Sequence, residues 1–399
     1  MSENVQENKF NSRSKLKKIF FKDFVTLQRG FDLPKKDMVS GPYPVFGSTS
    51  IIGYHSEYKV LPPGVVTGRS GSLGEVQYIR EKYWPHNTSL WVRDFKGNFP
   101  RYVYYFLKTL DLKNFNSGVG VPTLNRNDLD TLELAIHDYP TQRKIASILS
   151  AYDDLIENNT RRIKILEEMA QAIYTEWFVN FRFPGHEKVK MVESELGLIP
   201  KGWEVKNLFD IAEVTYGFPF KSKQFTEKAD GKPVIRIRDI LNNQTKTFTS
   251  EKADNKYILH NGDILIGMDG DFHMGKWAGG EAYLNQRIVR LRPKNGLSSY
   301  YLFLALKSPI QHFNSTIVGT TVTHLSDKDL HSINLLVPDK NPSKIIKGIF
   351  GSLFNLEIRL HLKNVILRRT RDLLLPKLIS GEIDVEGIDI NTGRIDNDS

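Results

Sequence analysis

The sequence predicts an α+β chain of two globular mixed α/β domains separated by two long antiparallel helices, in a pseudo-two-fold tandem repeat. Three observations predict it. Apolar residues recur every 3.5 positions over Pro140–Trp177. A second such stretch covers Pro342–Leu378. Short landmarks in the first half reappear in the second, about 200 residues later.

The 399 residues give room for two or three domains, each with its own core. No apolar run approaches the roughly 18 residues of a membrane span. The first 18 residues, MSENVQENKFNSRSKLKK, lack the apolar core of a signal peptide and read as a flexible tail on a cytoplasmic protein. The absence of cysteine excludes disulfides, zinc-thiolate sites, iron-sulfur clusters and cysteine nucleophiles. The net charge of +9 is unevenly spread: residues 1–139 carry 19 Lys+Arg against 14 Asp+Glu, and 200–341 carry 19 against 15. The helical stretches are near neutral, so the basic excess lies in the globular regions. That suits a polyanionic partner without requiring one.

The first globular region, Ile19 to Ile136, shows short β-type runs at Tyr43–Phe46, Gly64–Thr67, Glu75–Ile79 and Ser89–Val92. Gly, Pro, Asn and Ser separate them, and a helix is expected at Arg101–Lys108. The central helix follows, with a seam of Ile145, Leu149, Tyr152, Ile156, Asn159, Ile163, Leu166, Ala170, Ile173 and Trp177. A 3.5-residue seam belongs to a coiled coil and needs a partner helix. Asn159 is its one polar member, either a tolerated position or a device that fixes register.

In the second region, strands are expected at Val234–Arg238, Asp263–Ile266 and Arg287–Leu291, and a helix at Ser299–Leu306. The final helix carries Ile346, Ile349, Leu353, Leu356, Leu360, Leu367 and Leu374, interrupted by Lys363 and Thr370 and ended by Pro376 and Gly381.

The repeat is read at several offsets. Leu27–Phe31 matches Val214–Phe218 at 187. Asn87 and Tyr102 match Asn285 and Tyr300 at 198. Gly118–Leu129 matches Gly319–Leu330 at 201, which also sets Ile145, Tyr152, Leu166 and Ile173 on Ile346, Leu353, Leu367 and Leu374. Two related domains held by an antiparallel helix pair suit two half-sites on one duplex.

These residues resemble the specificity (S) subunits of type I restriction-modification systems. The resemblance rests on Gln142-Arg143-Lys144-Ile145-Ala146 through Trp177-Phe178, on Gly197-Leu-Ile-Pro-Lys-Gly-Trp203, and on Arg371-Asp-Leu-Leu-Leu-Pro376 through Gly381-Glu-Ile383. It implies target recognition domains at 19–139 and 200–341. The central spacer helix would be 140–180, a connector 181–199, the C-terminal spacer helix 342–380 and a tail 381–399. It further implies double-stranded DNA as ligand and a bipartite, asymmetric site. Two methyltransferase subunits using S-adenosylmethionine would bind this chain, and motor-nuclease subunits using ATP and Mg would join the full complex. The chain itself would bind no cofactor, no metal and no membrane, and would carry no active site.

The residues agree. No Asp/Asn-Pro-Pro-Tyr/Phe methyltransferase motif occurs. Gly270-Asp-Phe-His-Met-Gly275-Lys276 has phosphate-loop spacing, but Trp277 stands where a hydroxyl is needed. The alternative, a stand-alone DNA methyltransferase or nuclease, would need a catalytic motif the sequence lacks. A pure assembly scaffold is the second rival.

Base readout needs donors and acceptors on loops, and phosphate contacts need cations. In the first domain the candidates are Lys35, Lys36, Thr67, Arg69, Ser70, Ser72, Asn87 and Thr88. Arg69 can fork onto a guanine. In the second they are Phe218, Lys221, Lys223, Arg236, Arg238, Asp269, Asp271, His273, Lys276, Arg287, Thr321 and Thr323. Arg236 and Arg238 alternate on an expected strand, which sets both on one face.

Overall fold

In a computed structural model, residues 16–116, 120–317, 323–338, 340–390 and 392–393 are described. The chain forms two compact units, one within Met1–Asp154 and Arg368–Ser399, the other Leu155–Leu367. Each unit takes a segment of both long helices.

In the first unit, Lys17–Phe20 pairs antiparallel with Glu133–Ile136 and ties the start of the domain to its end. A four-stranded sheet runs in the order Thr26–Arg29, Ser89–Asp94, Gly64–Gly68, Val76–Ile79. A smaller sheet sets Tyr43–Phe46 between Ile51–His55 and Trp84–Pro85. The helix Pro100–Thr109 starts with proline, whose missing N–H costs nothing in a first turn. It buries Tyr102, Val103, Tyr105, Phe106 and Leu107 against Phe24, Val65 and Leu90. Ile145, Ala146 and Leu149 of the central helix and Leu375, Leu378 and Ile379 of the C-terminal helix complete this core. Each such fully buried aliphatic side chain contributes about 1.5–3 kcal/mol.

The second unit repeats the plan. Glu204–Asn207 pairs with Asn334–Val337. A four-stranded sheet follows the order Ala212–Tyr216, Ile288–Pro293, Ile264–Gly267, Met274–Lys276. Its second sheet is larger, with five short strands centred on Lys232–Ile235. The helix Ser299–Thr316 is capped by Ser298 and runs past the expected end at Leu306, carrying Pro309 within it. The stretch 181–199, read as a polar connector, contributes to a hairpin of Met191–Ser194 and Gly197–Pro200, where Gly197 adopts φ 88° beside the turn.

Hydrogen bonds fix the register of the repeat. Gly30 N donates to Ser89 O and Gly217 N to Ile288 O, both at 3.0 Å. Phe31 N donates to Pro85 O and Phe218 N to Leu284 O. The offset here is therefore 199, not 198, and His86 rather than Asn87 is the counterpart of Asn285. Offset 187 holds at Gly30 and Gly217 for a steric reason: a Cβ there would lie 2.1 Å from His86 O or 1.9 Å from Asn285 O.

The central helix spans Tyr139–Tyr174 and closes in a wider turn, Thr175–Val179. The C-terminal helix spans Lys340–Ile379. It continues through Pro376 and stops at Gly381, whose φ is 72°; Gly381 N caps Leu378 O. Proline three residues from the end removes one bond only, so the chain can absorb it.

Within each unit the two helical segments run antiparallel. In the first, Ile145 and Leu149 are buried with Leu375 and Leu378, and Arg371 donates to Asp153 at 2.6 Å. In the second, Ile163 and Leu166 pack with Leu360 and Leu353, and Asn159 bonds Asn364. Tyr152, Ile156, Ile173, Leu367 and Leu374 are half-buried. The Ile346 side chain lies outside the described residues.

The C-terminal seam differs from expectation at every second position. Ile349 and Leu356 are 36% and 39% exposed, and Lys363 is exposed too. The next residue along, Phe350, Glu357, Asn364 or Arg371, faces inward instead. The seam therefore holds three polar side chains, each with a partner in its own unit. Asp153 takes Arg371 and the Tyr105 hydroxyl. Asn159 takes Asn364. Glu357, fully buried, receives Lys276 Nζ at 2.6 Å. Asp154 is held by Arg80 at 2.7 Å and by the buried Arg101 at 3.1 Å. Burial works against its charge, but the two guanidiniums keep its carboxyl below the ordinary value.

Candidate nucleic-acid interface

In the first unit, four loops that are distant in sequence converge. Ser48, at the tip between Tyr43–Phe46 and Ile51–His55, donates to Ser70 O at 2.7 Å and to Thr88 O at 2.9 Å. Arg69 N donates to Thr88 O, and Leu124 N donates to Arg69 O. Ser70 bridges to Thr123. The result is a shallow groove of about 720 Å³ lined by Gln28, Arg29, Arg69, Arg93, Asn125 and Arg126, among others. Four guanidiniums and two amides line it, with no carboxylate among its lining residues. Such a donor-rich cleft focuses positive potential.

Of the sequence candidates, Arg69 lines this groove. Ser70, Asn87 and Thr88 are half-exposed on its neighbouring loops, and Ser72 is exposed. The Asn87 amide donates to Asp32, and the Thr88 hydroxyl lies 3.0 Å from His86 Nδ1. Lys35 and Lys36 are exposed on the short turn Lys35–Asp37. Thr67 is corrected: it is 1% exposed, and its hydroxyl donates to Glu75 O at 2.9 Å, so it belongs to the sheet. Arg29, Arg93 and Arg126 were not found in sequence. Arg126 lies 57 residues after Arg69, and backbone contacts between the two loops, among them the Ser70–Thr123 bridge and Leu124 N on Arg69 O, bring them together.

In the second unit, Arg236, Ile237, Arg238, Asp269, His273, Asn285, Gln286 and Arg287 line a groove of about 460 Å³. The strand ends at Ile235, and Arg236 caps the turn Ile237–Asp239, accepting none of the expected strand alternation. Arg236 and Arg238 still reach one groove because the turn carries both to its rim. Asp239 fixes that turn by accepting from Arg236 N at 2.9 Å.

Phe218 is half-buried among Phe220 and Tyr257, a small aromatic cluster beside the loops. Lys221, Lys223 and Asp271 are exposed. The Thr323 hydroxyl donates to Gly270 O at 2.9 Å. Thr321 lies outside the described residues. Lys276 is corrected: it is 6% exposed and pairs with Glu357 and with Glu167 at 3.1 Å, so it fastens the sheet to both helices of its unit. Glycine-rich surroundings made it look like a loop cation, but it sits on the strand Met274–Lys276.

Phe178, which closes the central helix, packs on Trp203, Tyr301 and Phe350. Among the described residues no group of three His, Cys, Asp or Glu is placed to hold a metal ion. No described helix is long and apolar enough to cross a membrane.

Comparison with known proteins gives a consistent picture. The family described as "Type I restriction modification DNA specificity domain" matches residues 13–168 and 200–368. The chain is 28% identical over 351 residues to the type I restriction enzyme MjaIX specificity subunit of Methanocaldococcus jannaschii, covering 82% of this chain and 79% of that protein. It is 29% identical over 226 residues to the EcoBI specificity subunit of Escherichia coli, covering 55% of this chain and 48% of that one. In fold it is similar to the S subunit of a type I restriction-modification system from M. genitalium, with a TM-score of 0.58 at 19% identity, covering 94% of this chain and 98% of that one.

Proposed function

We propose, from the premise that the chain belongs to the type I restriction-modification DNA specificity family, that each compact unit reads one half of a bipartite, asymmetric duplex site. One observation carries this. The two units close the same crossing of loops, with Leu124 N on Arg69 O in one and Leu325 N on Met268 O in the other, yet the side chains that line the grooves beside it differ. A shared frame gives both units the same approach to a duplex, and different linings give each its own sequence.

Arginines at each groove would neutralise phosphates and leave amides, imidazoles and one or two forked guanidiniums for base edges. The chain supplies recognition, and chemistry belongs to partners. Two methyltransferase subunits would use S-adenosylmethionine to modify an adenine flipped from each half-site. Motor-nuclease subunits with ATP and Mg would complete the restriction complex. The half-buried Asp153–Arg371 pair and the buried Asn159–Asn364 pair support a fixed helix register, as a spacer between half-sites would need.

Sequencing of methylated adenines in DNA exposed to the chain together with its methyltransferase partner tests the reading. The expected motif has two short defined halves around an undefined gap. A contiguous motif, or methylation independent of sequence, would refute it.

A further inference from the structure

We propose that Asp269, Arg287 and His324 form the base-reading element of the second unit, with Arg287 taking a guanine edge and Asp269 holding it in position. The proposal rests on the reading of the chain as a DNA specificity subunit.

Arg287 Nε lies 3.5 Å from Asp269 Oδ2, and His324 Nδ1 lies 2.7 Å from Asp269 Oδ1. Asp269 and His324 are also joined by a backbone bridge, and Met268 N donates to Arg287 O at 2.8 Å. All three side chains thus hang from one hydrogen-bonded crossing of loops. Arg287 is 57% exposed and lines the groove together with Arg236 and Arg238.

The first unit has the same crossing. There Ser70 bridges to Thr123, and Arg69 N donates to Thr88 O at 2.9 Å. Leu124 N donates to Arg69 O as Leu325 N does to Met268 O, both at 2.8 Å. Ser70, Thr88 and Thr123 therefore stand where Asp269, Arg287 and His324 stand in the second unit. The frame closes with three hydroxyls as well as with two ions and an imidazole, so folding does not demand the charged set.

Stability does not account for it either. The Arg287–Asp269 pair, 3.5 Å apart with the guanidinium 57% exposed, contributes little. Arg287 moreover adopts φ 70°, a left-handed conformation that a non-glycine residue takes only when its surroundings impose it, whereas Thr88 keeps an ordinary φ. Such an outlier, on a groove, points to recognition.

The donor pattern names the target. With Nε turned to Asp269, the guanidinium presents its two terminal nitrogens as a fork that fits guanine O6 and N7. His324 Nδ1 faces a carboxylate and so donates, which leaves Nε2 for a neighbouring contact. The three hydroxyls of the first unit each donate and accept, and carry no such guanine preference. The two half-sites differ in chemistry at equivalent points.

The test uses the chain assembled with its methyltransferase partner on a duplex library randomised across both half-sites, with methylated molecules sequenced. R287K keeps the charge and loses the fork. R287N loses both, while asparagine tolerates the left-handed turn. Both are expected to lower the preference for G at one position of the second half-site about ten- to hundred-fold. D269N should lower it less, at the same position, with the first half-site unchanged in all three. Unchanged preference in R287K and R287N overturns the assignment. So does a uniform loss across all sequences with a shallower salt dependence, which would make Arg287 a phosphate contact. A wild-type complex that selects no two-part site would instead overturn the underlying DNA reading.

Discussion

The Asn159 side-chain amide donates to Asn364 Oδ1 at 2.9 Å, between two apolar stretches of an antiparallel helix pair. Asn364 in turn donates to Thr160 Oγ1 at 3.3 Å. Both asparagines are buried, 7% and 2% exposed. A slip of one helical turn would leave both amides without partners in an apolar seam, so this pair selects one register. Replacing Asn159 alone by Ala strands the Asn364 carbonyl and should cost about 1–3 kcal/mol. The N159L/N364L double variant should recover much of that loss while losing register selection. Denaturant midpoints of the two single variants and the double variant check this. Additive losses would show that the amides do not act as a pair.

Among the described residues, Lys276 and Glu357 form the most deeply buried ion pair of the second unit, 5% and 0% exposed at the side chains. K276M would leave the carboxylate buried without its cation, at a cost of about 3–5 kcal/mol. K276M/E357L should be close to wild type, because two apolar groups of similar volume need no solvation. A double variant as unstable as K276M would show that the site needs charge.

The same pair predicts a pH dependence. Burial pushes the pKa of the Glu357 carboxyl up, but His361, Lys276 and Tyr300 outweigh it and hold that pKa below the ordinary carboxylate value. A depressed folded value means that its contribution is present above the ordinary carboxylate range and lost as pH falls through the folded value. The stability gap between wild type and E357Q should therefore narrow on acidification. A gap that is constant or widens in acid would contradict the assignment.

Thr67 and Arg126 separate fold from recognition in the first unit. T67V removes one buried hydroxyl bond and should cost about 1 kcal/mol with no change in the half-site read. R126A should weaken DNA binding of the assembled complex and, if Arg126 meets a phosphate, lower the salt slope by about 1. Binding titrations at several salt concentrations distinguish the two. A changed motif in T67V would refute its placement in the sheet.

The central seam was legible because every predicted position but Asn159 is apolar or aromatic, and buried neighbours follow from spacing alone. The C-terminal seam was half legible. Ile349 and Leu356 sit one residue before Phe350 and Glu357, and an apolar pattern prefers the isoleucine and leucine. Only the partners Lys276, Asn159 and Asp153 make Glu357, Asn364 and Arg371 inward-facing, and those lie far away in sequence. The repeat was visible, but matching Asn87 with Asn285 by identity moved the register by one. Hydrogen bonds from the loop at Phe31 and Phe218 set it instead. Arg69 and Arg287 were legible as loop cations. Arg29, Arg93 and Arg126 were not, because nothing local joins them to Arg69 before the loops cross.

The central claim is that each unit reads its own half-site. Exchange of residues 200–341 for those of another family member, followed by sequencing of the adenines methylated by the assembled complex, tests it most directly. The account predicts that one half of the motif changes and the other half stays as it was. A motif in which both halves change, or neither does, would contradict it.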